Sequence, residues 1–389
     1  MPGCPTGLGS SREVMMIIGV PKEIKPAERR VGMTPSSVRE LVSHGHQVIV
    51  ETTAGLGISA ADDDYVAAGA SIAADADEVF DRATLIVKVK EPQAVERARL
   101  RPHHVLFTYL HLAPDPEQTA DLVAGGATCI AYETVTDAAG RLPLLAPMSQ
   151  VAGRMAIQAG AHCLEAPNGG SGLLLGGVPG VLSARVLVLG GGVVGENSIE
   201  MAIGLQARVT ALDRSLEVLD LLAHRFGSAI ETVYSTRAAV EEQVLDADLV
   251  VGAVLVKGDT APKLVTEEMV KGMRPGSVLV DVSIDQGGCF ETSRPTTHTD
   301  PTYVMHGVVH YCVANMPGAV PKTSTYALNN ATLPFIVALA DRGAKQALID
   351  DPHLRGGLNV CGGVVTEEHV AKALGYGYVP PEEAVEALA

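Results

Sequence analysis

The stretch Ala184–Asp213, ARVLVLGGGVVGENSIEMAIGLQARVTALD, constrains the fold more than any other. An apolar strand, Val186–Leu189, runs into Gly190-Gly191-Gly192-Val193-Val194-Gly195. A helical stretch follows, then a second apolar strand, Arg208–Leu212, closed by Asp213. Strand, glycine turn, helix and strand in that order predict a parallel βαβ unit that binds a dinucleotide. Gly190 permits the tight turn, Gly192 lets a pyrophosphate approach the backbone, and Gly195 allows close helix–strand packing. The helix N-terminus then faces the phosphates with the positive end of its dipole. An acid at the end of the second strand, about 20 residues on, accepts from ribose hydroxyls and repels a 2′-phosphate, which favours NAD over NADP. Glu196, directly after the last glycine, is expected to point away from the phosphates.

The same alternation extends along the chain. Short apolar runs occur at Met16–Val20, Gln47–Glu51, Thr84–Val89, His104–Thr108 and Thr128–Tyr132, with helix-like segments between them. Pro35 suits a first helical turn and Gly45 a C-terminal stop. A long helix is expected near Ser149, then a Gly-rich connector at Gly169–Gly180, further strands at Asp248–Leu255 and Ser277–Ser283, and a helix at Lys322–Gly343. Alternating strands and helices predict parallel sheets covered on both faces. At about 150 residues per domain, 389 residues make two domains the simplest count. The expected fold class is therefore α/β, with two doubly wound Rossmann-like domains and a cleft between them. The expected division is a flexible arm at 1–15, a discontinuous substrate domain at 16–142 and 322–389, and a nucleotide-binding domain at 143–321.

Composition narrows the function classes. The formal net charge of −16 repels nucleic-acid backbones and anionic lipid headgroups. Aromatics at 4% with no Trp argue against a base-stacking platform. The segment Ala166–Ala184 lacks charge but is broken by Pro and Gly, so it reads as a loop and not as a membrane span. The N-terminus shows no signal-peptide pattern. Six scattered cysteines without a CxxC pair fit reduced thiols in a cytoplasmic protein.

Several side chains stand where parallel sheets place their ligands, at strand C-termini. Lys88 and Lys90 in LIVKVKEP share one strand face if alternation holds. Arg29 and Arg30 follow the first strand, and a guanidinium there suits a carboxylate. His111 follows the strand ending at Thr108 and suits proton transfer near neutral pH. Asp285 lies where a strand enters a Gly-Gly turn; it suits a general base, or simply caps the turn. His306 and His310 have strand–turn–strand spacing and no adjacent acid, so no metal site is expected.

These stretches, taken in order, identify the chain as resembling the alanine dehydrogenase family from about Met16 to its C-terminus. The matching segments include GVPKEIKPAERRVGMTP, LIVKVKEP, LFTYLHLA, AYETV, LPLLAPMSQVAGR, LVLGGGVVG, GAVLVKG, VDVSIDQGGCFETSRPTTH and YCVANMPGAVPKTSTYALNNATLPF. The related nicotinamide nucleotide transhydrogenase subunit shares part of this pattern. The resemblance implies reversible, NAD-dependent oxidative deamination of L-alanine to pyruvate and ammonium, carried out by a homo-hexamer. Carried over, Arg30 and Lys90 hold the substrate carboxylate and keto oxygen, and His111 and Asp285 form the catalytic pair. Met148, Ser149, Asn315 and Met316 line the cofactor site, and Asp213 binds the ribose. The chain departs from the family in Gln150, where Glu is usual, and in Ser198, where Ala is usual.

Three other readings stay open at this stage. One is a dehydrogenase of the same fold for another small amino or oxo acid, such as glycine–glyoxylate or serine. Another is a partner-dependent transhydrogenase-like subunit that binds NAD(H). The third is a sensor of NAD(H) without catalysis. Arg30, Lys90, His111 and Asp285 together count against the last two.

Overall fold

The computed structural model describes residues 15–254 and 261–388. The expected N-terminal arm at 1–15 lies outside them except for Met15, as does Leu255 at the end of one expected strand. The chain divides into two compact units. Unit 1 runs up to Leu145 and resumes at Thr325; unit 2 spans Ala146–Ser324.

The strands are, in chain order, β1 (Ile17–Val20), β2 (Gln47–Glu51), β3 (Ser71–Ala73), β4 (Leu85–Val87), β5 (Val105–Thr108) and β6 (Thr128–Ala131), followed by β7 (Arg185–Leu189), β8 (Arg208–Asp213), β9 (Ile230–Tyr234), β10 (Leu249–Gly252), β11 (Val278–Asp281), β12 (Thr302–Met305) and β13 (Val308–Tyr311), and finally β14 (Leu358–Cys361) and β15 (Val364–Val365). Six helices matter below: α1 (Pro35–Ser43), α2 (Pro116–Gly125), α3 (Ala146–Cys163), α4 (Val193–Gly204), α5 (Leu216–Phe226) and α6 (Pro321–Asp350).

In unit 1 the sheet order is β15-β14-β6-β5-β4-β1-β2-β3. Strands β1 to β6 are parallel, and β14 and β15 add an antiparallel edge. In unit 2 the order is β12-β13-β11-β10-β7-β8-β9, with only β12 antiparallel. Both parallel cores therefore follow the 3-2-1-4-5-6 order of a doubly wound sheet. Its direction reverses between β1 and β4 in unit 1 and between β7 and β10 in unit 2. Ligands of such sheets sit outside the strand C-termini at this reversal.

Side-chain alternation explains the two-sided cover. In unit 2, Val186, Val188, Val251 and Val280 enter one core, while Leu187, Leu189, Val250 and Leu279 enter another. Successive residues of one strand thus face opposite layers of helix, and the strands are apolar throughout. In unit 1, Ile49, Phe80, Leu106, Leu122 and Cys129 share a core. Local signals set the helix ends. Thr34 caps α1 by accepting from the Ser37 N–H, with Pro35 in the first turn. Asp115 caps α2, which stops at Gly126 in the left-handed region (φ 70°).

Three expected elements differ in extent. The strand expected at Thr84–Val89 ends at Val87, so its alternation does not reach Lys90. The strand expected at Asp248–Leu255 is ordered as β10 over Leu249–Gly252. The C-terminal helix runs past Gly343, where the backbone leaves helical geometry (φ 74°, ψ 156°) before helix resumes.

Candidate active site

In unit 1 the loops after β1, β4, β5 and β6 carry the charged side chains. Arg30, on the loop after β1, is buried at 2% exposure, whereas Arg29 beside it is exposed. The Arg30 guanidinium meets the Glu28 carboxylate in a fork, with Nε to Oε1 at 2.7 Å and Nη2 to Oε2. The Arg30 N–H also donates to Glu28 Oε1 at 2.9 Å. Burial works to lower the arginine pKa, but the Glu28 hydrogen bonds and charge outweigh it and hold Arg30 more firmly protonated. The same loop packs closely on the end of β4: a Cβ on Gly32 would strike the Val87 carbonyl. A cavity of about 300 Å³ adjoins Arg30 and is also lined by Lys22, Glu23, Glu28, Arg29 and Thr53; Lys90 and His111 are not among its walls.

Lys88 overturns the expectation of two lysines on one ligand-facing edge. Its side chain is fully buried and bridges Glu23 (3.0 Å) and Glu96 (2.7 Å). β4 has ended by Lys88, and two buried carboxylates, Glu96 eight residues on and Glu23 from the loop after β1, capture the ammonium. Lys90 keeps a largely buried side chain with Nζ 3.9 Å from Glu91. Burial tends to raise the Glu91 pKa, but Lys90 and Lys25 outweigh it and hold the carboxyl below its ordinary range.

His111 follows β5 with its side chain 46% exposed and its backbone in the left-handed region (φ 51°). For a residue other than Gly this conformation is uncommon and strained. Glu133, after β6, holds it. Oε1 accepts the His111 N–H at 2.6 Å and the Leu110 N–H at 3.1 Å, and lies 3.8 Å from Nδ1. The imidazole lies parallel to the Tyr109 ring, with centroids 5.8 Å apart. Tyr109 ties the region together: its N–H donates to the Val89 carbonyl, and Arg30 and Glu133 both act electrostatically on its hydroxyl. Arg30, Lys90 and His111 thus stand on the loops after β1, β4 and β5, three neighbouring strands of the sheet of unit 1. Glu23, Glu28 and Glu133 were missed by sequence reasoning. Glu28 has a weak signal, an acid two residues before a buried arginine; the other two find their partners only through the fold.

Unit 2 builds the nucleotide end. Gly190 has φ 98°, and a Cβ there would lie 2.8 Å from the Ala253 carbonyl oxygen. A Cβ on Gly195 would collide with the Gly190 carbonyl, whereas one on Gly192 would meet nothing within 4 Å. The loop is therefore packed tightly behind and open at Gly192, where α4 begins with its free N–H groups. Asp213 ends β8 and reaches the loop. Oδ2 accepts the Gly191 N–H at 2.7 Å, and Oδ1 accepts the Ser215 N–H at 2.8 Å. Glu196 pairs with Arg225 on α5. Ser198 is buried on α4, its hydroxyl 3.0 Å from the Gly153 carbonyl on α3 and 3.0 Å from the Val194 carbonyl.

Met148 is buried and Ser149 half-buried near the start of α3, where Gln150 is exposed. Asp285 is exposed on the 3-10 turn Ile284–Gln286 after β11. Asp281 anchors the loop beyond it. Its carboxylate accepts from the N–H groups of Cys289 (2.9 Å) and Ser283 (3.1 Å) and from the Ser293 hydroxyl. Burial raises the Asp281 pKa against those bonds. Asn315, after β13, adopts φ 60°, and its carbonyl accepts from His298 Nε2 at 3.1 Å; Met316 beside it is buried. His310 is buried against Thr292 and Val308, and His306 pairs with Glu267.

The profile described as "Alanine dehydrogenase/PNT, N-terminal domain" matches residues 19–152, and that described as "Alanine dehydrogenase/PNT, C-terminal domain" matches residues 156–368. The alanine dehydrogenase of Halomonas elongata is 61% identical over 94% of this chain and 98% of its own. That of Bacillus subtilis is 55% identical over 95% of this chain and 98% of its own. Among solved structures, an L-alanine dehydrogenase at 52% identity superposes with a TM-score of 0.90, covering 92% of this chain and 99% of its own. A transhydrogenase from Sinorhizobium meliloti at 25% identity gives 0.80, covering 90% and 100%. With both profiles matched and such relatives spanning nearly its whole length, the chain belongs to the alanine dehydrogenase/PNT family.

Proposed function

We propose that this chain catalyses the reversible, NAD-dependent oxidative deamination of L-alanine to pyruvate and ammonium. The observation that supports the reading is the likeness over nearly the whole chain to alanine dehydrogenases, 61% identical in one case, in a fold that sets Arg30, Lys90 and His111 on loops after the neighbouring strands β1, β4 and β5. The weaker likeness to a transhydrogenase, at 25% identity, leaves the dehydrogenase reading ahead of that alternative.

The glycine loop, its open face at Gly192 and the carboxylate of Asp213 fit a dinucleotide with an unphosphorylated ribose. NAD⁺, when bound, accepts the hydride. The chain's own residues perform the rest. Arg30 offers a charged, hydrogen-bonding group for the substrate carboxylate, and Lys90 a cation for the oxygen that becomes the keto group. Hydride departs from Cα only when the nitrogen lone pair is available, so the substrate ammonium first loses a proton. His111 exchanges protons with the substrate heteroatoms. The resulting iminium adds water, which Asp285 activates as general base, and the carbinolamine collapses to pyruvate and ammonium. Acid–base groups placed in this way contribute roughly 10²- to 10⁴-fold each. Met148, Ser149, Asn315 and Met316 are assigned to lining the cofactor. On this reading the substrate domain comprises 16–142 and 322–389, and the nucleotide domain 143–321.

The reading extends to a cytoplasmic homo-hexamer. Leu174, Val178, Val181 and Leu182 are each more than half exposed around the bridge Val178–Val181, an apolar surface that supports self-association. Five free, buried cysteines among the described residues are compatible with a reducing compartment. No helix among the described residues is long and apolar enough to cross a membrane.

The test is NADH formation by the purified protein with NAD⁺ and a panel of small L-amino acids. Preferred turnover of L-alanine is the expected result. NADH binding without turnover of any amino acid would overturn the reading, and light scattering on the same preparation would reveal any assembly other than a hexamer.

A further inference from the structure

The loop that carries Lys90 has no regular secondary structure of its own, yet every backbone group from Lys88 to Lys90 is engaged. The Lys88 N–H donates to the Phe107 carbonyl at 3.2 Å, and the Val89 carbonyl accepts from the Tyr109 N–H at 3.3 Å. The Tyr132 hydroxyl donates to the Lys88 carbonyl at 2.9 Å, and the Thr108 hydroxyl to the Lys90 carbonyl at 3.0 Å. The two remaining donors, the N–H groups of Val89 and Lys90, both reach one atom, Glu23 Oε1, at 2.7 and 3.3 Å. Glu23 comes from the loop after β1, 65 residues before Lys88.

The other oxygen of Glu23 fixes the carboxylate itself. Oε2 accepts from Lys88 Nζ at 3.0 Å, and that ammonium also reaches Glu96 at 2.7 Å. Glu96 in turn caps its own short helix by accepting the Gln93 N–H at 2.8 Å. All three side chains are buried. Burial works against the charge on Lys88, but the two carboxylates outweigh it and raise its pKa; burial, helped by the neighbouring Glu96 charge, pushes Glu23 upward despite Lys88. Such a group is costly to bury and contributes little net stability over an apolar replacement. It does lock a carboxylate oxygen at one point under the Lys90 backbone.

We propose that Glu23 is a positioning residue for Lys90: its carboxylate, oriented by Lys88, pins the Val89 and Lys90 N–H groups and so sets where the Lys90 side chain is presented to the substrate. The inference rests on the assignment of Lys90 to substrate binding. A misplacement of the order of 1 Å at such a group costs up to about 100-fold in rate.

The test compares Glu23→Ala, Glu23→Gln, Thr108→Val and Lys90→Ala in the reductive direction, reading KM for pyruvate, kcat, Kd for NADH and Tm. Glu23→Ala removes the acceptor of both N–H groups and should raise KM for pyruvate about tenfold or more, with Kd for NADH within twofold of the native value. Glu23→Gln keeps an acceptor oxygen but sets an amide N–H against the Lys88 ammonium. It should lower Tm at least as much as Glu23→Ala while KM stays within about threefold of native. This separation of KM from Tm is what a merely structural role would not produce. If Glu23→Ala does not fold, Thr108→Val, which deletes only the hydroxyl on the Lys90 carbonyl, should still raise KM several-fold. KM following Tm across the series, or KM unmoved in both Glu23→Ala and Thr108→Val while Lys90→Ala abolishes turnover, overturns the inference alone. Native kinetics in Lys90→Ala would remove the assignment on which it rests.

Discussion

Replacement of Asp213 tests the nucleotide assignment at a carboxylate that serves two purposes. A carboxylate has about four acceptor positions. Two are occupied by the N–H groups of Gly191 (2.7 Å) and Ser215 (2.8 Å), which leaves two for the ribose hydroxyls. Hydrogen bonds to a charged acceptor contribute about 1.5–3 kcal/mol each. Asp213→Ala therefore removes about 3–6 kcal/mol of ribose contact. Asp213 is half-buried, so water replaces part of it, and the lower end applies. About 3 kcal/mol is roughly a 100-fold rise in Kd for NADH. The freed N–H groups of Gly191 and Ser215 also loosen the glycine loop, but that loss weakens NADH and NADPH alike. Removal of the negative charge has a separate effect, since it relieves repulsion of a 2′-phosphate and narrows the preference for NADH over NADPH. Asp213→Asn keeps one acceptor oxygen and should fall between the two. Fluorescence titration of both nucleotides into the three proteins gives the ratio directly. A Kd for NADH within twofold of native in Asp213→Ala would refute the ribose contact. Equal weakening of both nucleotides at an unchanged ratio would reduce Asp213 to a support of the loop.

His111→Ala and Asp285→Asn should each lower kcat about 10²- to 10⁴-fold while Kd for NADH holds, and unchanged turnover in either removes its assigned role. Gly192→Ala should leave Tm near native and weaken NADH, because its Cβ enters open space in the path of a phosphate. Gly195→Ala should lower stability by about 1–3 kcal/mol through collision with the Gly190 carbonyl; calorimetry beside NADH titration separates the two, and similar Tm losses would contradict the geometry. Burial lowers the pKa of His104 and of His310, and each is bonded as a neutral imidazole, donating to the Phe80 and Val308 carbonyls respectively. The unfolded chain takes up these protons near pH 6.5, so the contribution to stability is complete above that pH and is lost as pH falls through the lower folded values. Melting curves across this range should show Tm falling on acidification, and a smaller slope in His310→Gln; a slope unaffected by the substitution would exclude His310 as a source.

The parts of the molecule legible in the sequence are those dictated by their immediate neighbours. The glycine loop is one, because a turn at Gly190 and a helix packed at Gly195 are steric requirements over six residues. Glu196 is another: an acid in the first turn of a helix has little reason to face a phosphate, and it pairs with Arg225. Lys88 was misread for the complementary reason. Pairing Lys88 with Lys90 by alternation runs three residues past the end of β4, and the partners that bury the Lys88 side chain, Glu23 and Glu96, bear no local mark of the contact. The antiparallel edge of unit 1 was also hidden. β15 is two residues long, and β14 pairs with β6 from the far end of the chain. The strain at His111 needs the backbone to be seen, since nothing in YLHLA distinguishes φ 51° from an ordinary loop value.

The proposed substrate site offers an account of how an acidic chain can recognise an anion. A buried guanidinium or ammonium without a partner is too costly to keep ionised. The buried cations here have acids beside them: Arg30 with Glu28, Lys88 with Glu23 and Glu96, and the largely buried Lys90 with Glu91. Pairing holds Arg30 and Lys88 protonated against burial, and it also cancels most of the cations' long-range field. A substrate carboxylate is therefore not drawn in by net charge, which is −16 for the whole chain. On the proposed assignment it is selected by where fixed donors point. The acids of this region thus hold the donors charged and in place. The geometry they impose, more than the number of positive residues, decides which small acid fits.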